Sequence, residues 1–115
     1  MEIQVNSGSN VEGVDELARR VEEEIENVLG RFGDQIIRIE VHLNDENADK
    51  TGDDDKRCLI EARLAGRDPE AVTHHGASIE QAYTGAAKKL RRVLDSKLGK
   101  LSDHKGAATI RKGEL

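Results

Sequence analysis

The sequence is almost without aromatic residues: it has no Trp, and Phe32 and Tyr83 are its single Phe and Tyr. Single-stranded nucleic acid is usually read by stacking bases on aromatic rings, so a chain this poor in rings is expected to meet RNA through backbone charge and shape. Cysteine is equally scarce. The lone Cys58 cannot make an internal bridge, which fits a reducing compartment. No apolar run approaches the roughly 20 residues needed to cross a bilayer, and the N-terminus lacks a basic stretch followed by an apolar one. These absences suggest a soluble, cytoplasmic protein with no membrane partner. At 115 residues the chain fits one domain with a single core, long enough to fold without metal or disulfide staples.

What the chain has in quantity is charge, unevenly placed. Residues 1–77 carry nine basic and nineteen acidic side chains, a balance of −10. Residues 78–105 hold Lys88, Lys89, Arg91, Arg92, Lys97, Lys100 and Lys105 against Glu80, Asp95 and Asp103, a balance of +4. A chain of net charge −5 can therefore still offer one concentrated cationic surface to a polyanion.

Hydrophobic periodicity orders the elements. Ile3 and Val5 alternate with polar neighbours in a first strand, and Ser7 to Asn10 supply turn and cap residues for a first helix. In that helix Val14, Leu17, Ala18, Val21, Ile25, Val28, Leu29 and Phe32 recur at helical steps, and Gly33 is placed to end it in the left-handed conformation. Arg19, Arg20, Glu22, Glu23, Glu24 and Glu26 form its solvated face. From Gln35 the period becomes two, with Ile37, Ile39, Val41 and Leu43 on one side and Ile36, Arg38, Glu40 and His42 on the other. After a polar connection, Cys58, Ile60, Ala62 and Leu64 share a face of the next strand. Gly66, Arg67, Asp68 and Pro69 then turn the chain into a short hairpin partner over residues 70–75. Ser78 and Gln81 make a capping box for a second helix, whose stripe is Ile79, Ala82, Tyr83, Ala86, Leu90, Val93, Leu94 and, approximately, Leu98 and Leu101. The expected fold is α+β, β-α-β-β-β-α, a four-stranded sheet with both helices on one face. Residues 1–101 form the domain and 102–115 a mobile tail.

The other constellations point to ordinary structure. The acidic connection at residues 44–56 lacks the glycine and terminal glutamate of a calcium loop. His74 and His75 fall on opposite faces of a strand, and neither His42 nor Cys58 sits at a ligand spacing, so no metal or other cofactor is expected. There is no nucleophile elbow, no phosphate-cradling glycine loop and no paired acid and base, which argues against an enzyme with a small-molecule substrate. Gly85 inside the second helix costs about 1 kcal/mol relative to Ala, leaving either close approach of another backbone or tolerated packing as its reason.

Ala82, Gly85, Lys89, Leu90, Arg92 and Leu94 read A-x-x-G-x-x-x-K-L-x-R-x-L at the start of the last helix, directly after a short strand and a polar cap. Together with element order and length, this resembles the short ribosome hibernation-promoting factor family, which includes the ribosome-associated inhibitor A and the ribosomal subunit interface proteins. The similarity covers about residues 1–101. It implies a stress-response translation inhibitor that binds the small ribosomal subunit and its rRNA in the channel used by messenger and transfer RNA. It also implies a short form, without a C-terminal dimerisation domain; monomer or oligomer is left open. Independently of that family, Lys88, Lys89, Arg91, Arg92, Lys97 and Lys100 are the candidate RNA-binding residues, because clustered cations contribute little to folding but each displaces a counterion from phosphate. Solvation of a basic helix end would place the same residues there. The alternative is a protein-interaction or regulatory module of the same fold that uses its acidic first helix on a basic partner and does not bind ribosomes.

Overall fold

The computed structural model of the chain describes residues 1–8, 14–45 and 56–99. Its elements are β1 (Glu2–Ser7), α1 (Val14–Leu29), β2 (Ile36–Asp45), β3 (Lys56–Leu64), β4 (Glu70–Gly76) and α2 (Ile79–Leu94). They build a four-stranded mixed sheet in the order β1-β2-β3-β4, with β1 parallel to β2 and the other pairs antiparallel. The parallel pair follows from its connection: α1 carries the chain back across the sheet, which a tight turn cannot do. Gly66, at φ 69°, opens the β3–β4 turn in the left-handed conformation that costs glycine little.

One face of the sheet and the inner stripes of both helices share one core. Ile39, Val41, Leu43, Cys58, Ile60 and Ala62 from the sheet meet Val21, Ile25 and Leu29 of α1 and Ala86, Leu90 and Leu94 of α2, all fully or almost fully buried. Polar residues occupy the other face, where Arg38 donates to the Gln4 Oε1 of β1 and its Nε lies 3.4 Å from a Glu40 carboxylate oxygen. No helix among the described residues is long and apolar enough to cross a membrane.

Three local expectations are corrected. Ile36, not Ile37, is the buried residue that begins β2: Ile36 is 3% exposed and Ile37 54%. The ladder slips there, pairing Ile36 with Leu64 and Arg38 with Arg63, so Ile37 is the extra residue of a β-bulge. Strict alternation cannot register an inserted residue. Secondly, α1 stops at Leu29 and tightens into a 3₁₀ turn, Gly30–Phe32, that buries Phe32. Gly33 follows in the right-handed region, φ −55°, ψ −33°, its N–H donating to the Gly30 carbonyl. Thirdly, the Ser78 hydroxyl accepts from the Gln81 N–H at 3.1 Å as expected of a cap, but the Gln81 side chain returns to the Ala77 N–H at 3.0 Å, one residue before the box partner. Part of the α1 cap, most of the acidic connection, Leu101 and the tail lie outside the described residues.

Two packing details have measurable consequences. A Cβ built on Gly85 would lie 2.2 Å from the His74 ring, so the missing side chain is what lets α2 lie on β4 over that imidazole. Gly85→Ala should lose about 1–3 kcal/mol through overpacking, although helix propensity alone would gain about 1 kcal/mol. In a His74→Ala background the same substitution should stabilise, and urea unfolding of the four proteins of this cycle reads the change of sign. Burial pushes the Cys58 thiol up to about 12, more than the neighbouring Arg57 lowers it. The folded chain therefore keeps a proton that the unfolded chain releases, so this thiol's contribution is intact below pH ~9 and falls as pH rises toward 12. At pH 8, iodoacetamide should leave Cys58 unlabelled until denaturant is added.

Candidate nucleic-acid interface

The outer surface of α2 is fixed by its inner one. Ala82, Tyr83, Ala86, Ala87, Leu90 and Leu94 bury one side of the helix, and residues half a turn away must face water. Lys88 and Arg92 occupy that opposite side, four residues and so one turn apart. Both are exposed, and neither has an ion-pair partner among the described residues. A shallow groove lined by Glu80, Gln81, Thr84, Gly85 and Lys88 continues this face toward the start of the helix.

The remaining candidate cations are differently employed. Lys89 is half-buried at the flank of α2, its ammonium donating to the Thr73 carbonyl of β4 at 2.8 Å. Arg91 lies at the other flank, its Nε 3.9 Å from Asp95 Oδ2. Lys97 is paired with Glu70 of β4 at 2.6 Å. Lys100 is outside the described residues. Lys88 and Arg92 are thus an open pair among the described residues, flanked by candidate cations that also make contacts within the fold.

Past Leu94 the helix widens into a π turn, Asp95–Gly99, which brings Leu98 back into the core at 6% exposure and Lys97 against Glu70. This turn places Asp95 beside a residue that sequence spacing did not single out. Arg31, from the 3₁₀ turn after α1, lies 2.6 Å from Asp95 Oδ1, while its guanidinium sits 4.9 Å over the Phe32 ring centroid. Residues 31 and 95 are far apart in sequence; only the alignment of the two helices, with both C-terminal ends at one end of the molecule, unites them.

At the other end of the helix pair Tyr83 is buried facing α1. Its hydroxyl pKa is raised, first by burial and then by Glu80, with Glu24 and Glu23 adding to the effect and Arg20 opposing it. Some of the acidic face of α1 therefore borders α2 rather than lying remote from it. Among the described residues no group of three or more His, Cys, Asp or Glu side chains is arranged to hold a metal.

The arrangement can grip phosphates along a rigid helix, with no ring platform for bases. Residues 4–102 match the sequence model of the family described as sigma 54 modulation protein / S30EA ribosomal protein. The chain belongs to that family. Membership places it among ribosome-associated modulation factors. The fold is also that of a solved structure, the N-terminal domain of Protein Y from Thermus thermophilus. At a TM-score of 0.68 and 22% identity, the match covers 84% of this chain and 99% of that one. No curated protein matches the chain.

Proposed function

We propose that the chain is a hibernation factor that occupies the messenger and transfer RNA channel of the small ribosomal subunit and holds rRNA phosphates with the outer face of α2. The observation that supports this reading is the open pair Lys88 and Arg92: two cations one turn apart, opposite the core stripe, without an internal counter-charge among the described residues. Lys gives a compact charge, and Arg a planar fork that can hold phosphate oxygens bidentately. Arg91, Lys89 and Lys97 border the pair, and Lys100 belongs to the proposed set through its sequence position.

The net charge of −5 opposes approach to RNA, and distance decides how much that matters. At physiological ionic strength charges are screened beyond about 8 Å, so contacts at the α2 surface outweigh carboxylates farther off. Sedimentation with purified small subunits across a salt series tests the reading. The chain should pellet with the subunits at low to moderate salt and be released as salt rises.

A second reading rests on α1, where exposed Glu22, Glu23 and Glu26 form an acidic face suited to a basic protein partner. Partner binding that survives reversal of Lys88 and Arg92 but is lost when these three glutamates are changed to Gln would select it.

A further inference from the structure

We propose that Arg31 and Arg91, joined by Asp95, form a second phosphate-binding element of this interface, a two-guanidinium clasp built from the ends of both helices. The inference rests on the nucleic-acid reading of α2 and extends it to a residue delivered by another element.

The geometry is that of a prepared site. Asp95 stands at the junction between α2 and the π turn, its backbone N–H donating to the Arg91 and Arg92 carbonyls, which fixes where its carboxylate emerges. Oδ1 is closed off from water with Arg31 2.6 Å away, and Oδ2 lies 3.9 Å from Arg91 Nε. The Arg31 contact lacks the alignment of a hydrogen bond, so it acts as a charge contact and leaves guanidinium donors uncommitted. The Phe32 ring lies against the Arg31 guanidinium, a cation–π contact that helps keep it in place. Both arginine side chains are about half exposed, 56% for Arg31 and 48% for Arg91, so neither is sealed into the core.

Two guanidiniums brought together would normally repel and splay. One carboxylate between them offsets that repulsion, leaves a net positive site and keeps the two side chains near one another before any ligand arrives. A phosphate of an RNA backbone, whose oxygens can accept from two guanidiniums at once, is the ligand this pair of arginines suits. Asp95 is therefore a positioning residue, whereas Arg31 and Arg91 are the phosphate ligands.

The sign of one substitution tests the assignment. Asp95→Asn makes the chain more positive, and charge alone would strengthen its binding to RNA. If the carboxylate orients the clasp, binding to a short synthetic RNA duplex should weaken about threefold or more, while Glu61→Gln, the same charge change on the open sheet face, does not weaken it. Arg31→Gln should lower the slope of log affinity against log salt by about 0.9. Arg31→Lys should keep that slope and still lose affinity, because an ammonium lacks the fork.

The clasp is overturned if Asp95→Asn tightens binding, or if Arg31→Gln leaves the salt slope unchanged while Lys88→Glu/Arg92→Glu abolishes binding; in that second case the α2 reading survives without it. An unaltered chain that binds neither the duplex nor small subunits overturns both. Far-UV circular dichroism on each variant separates lost binding from lost fold.

Discussion

Lys88→Glu/Arg92→Glu will fail to sediment with small ribosomal subunits at salt concentrations where the unaltered chain does. Each side chain contributes one cation within contact distance of a phosphate, and each reversal replaces an attraction with a repulsion. At about 4 Å such an interaction is worth on the order of 1 kcal/mol in water and about 4 kcal/mol near a protein surface. Two reversals therefore remove at least about 2 kcal/mol, and the repulsion that replaces it brings the expected loss to roughly 100-fold or more. The salt dependence changes with it, because each phosphate contact contributes about 0.9 to the slope of log affinity on log salt. Residual binding should show a slope lower by about two. Unchanged sedimentation would sink the α2 reading. Lys97→Gln is the informative contrast: its ammonium donates a hydrogen bond to Glu70, which Arg31 does not do with Asp95 Oδ1, and it lies off the Lys88–Arg92 face, so its effect on the slope should be smaller.

Leu90→Ala should be the costliest single truncation along α2, at about 2–5 kcal/mol. Leu90 is fully buried midway along the stripe that seats α2 on the sheet, and Ala at that position leaves a cavity among side chains that cannot all move in. In a domain of this size each kilocalorie lowers the melting temperature by roughly 4–8 °C, so a drop of at least about 8 °C is expected by calorimetry. Binding should fail in parallel with unfolding, not before it, because Lys88 and Arg92 are positioned by the helix that Leu90 anchors. A variant that melts normally would show that the core does not depend on this contact.

The parts of the fold legible in the sequence are those carried by period. Both helical stripes, the alternation of β3 and the Ser78 cap each rest on several residues that agree, and a four-stranded sheet with two helices accounts for all of them. Individual positions escaped where a local insertion or a tightened turn interrupts the repeat. At Ile36 and Ile37 two identical residues leave only the bulge to decide which is buried. The 3₁₀ turn after Leu29 uses Phe32 as a plug, so no left-handed cap is needed at Gly33. Ala87, absent from the expected stripe, is fully buried because α2 packs against both the sheet and α1.

The candidate interface was legible as a cluster but not as a division of labour. Spacing places Lys88 and Arg92 on one face, whereas the engagement of Lys89 with Thr73 and of Lys97 with Glu70 depends on β4 lying alongside α2. Arg31 carried no sequence signal. It is brought to Asp95, 64 positions away in sequence, by the side-by-side packing of the two helices.

The parallel register of β1 on β2 has a consequence for how the molecule is made. As the chain is synthesised, its first strand emerges with nothing to pair against, and its ladder from Glu2↔Arg38 to Ser7↔Leu43 can close only after α1 and β2 have followed. The antiparallel β2–β3–β4 meander needs shorter loops and can form without it. This strand thus waits for a partner that follows it by a whole helix, and amide protons along β1, an edge strand, should exchange sooner than those of β2, which it joins.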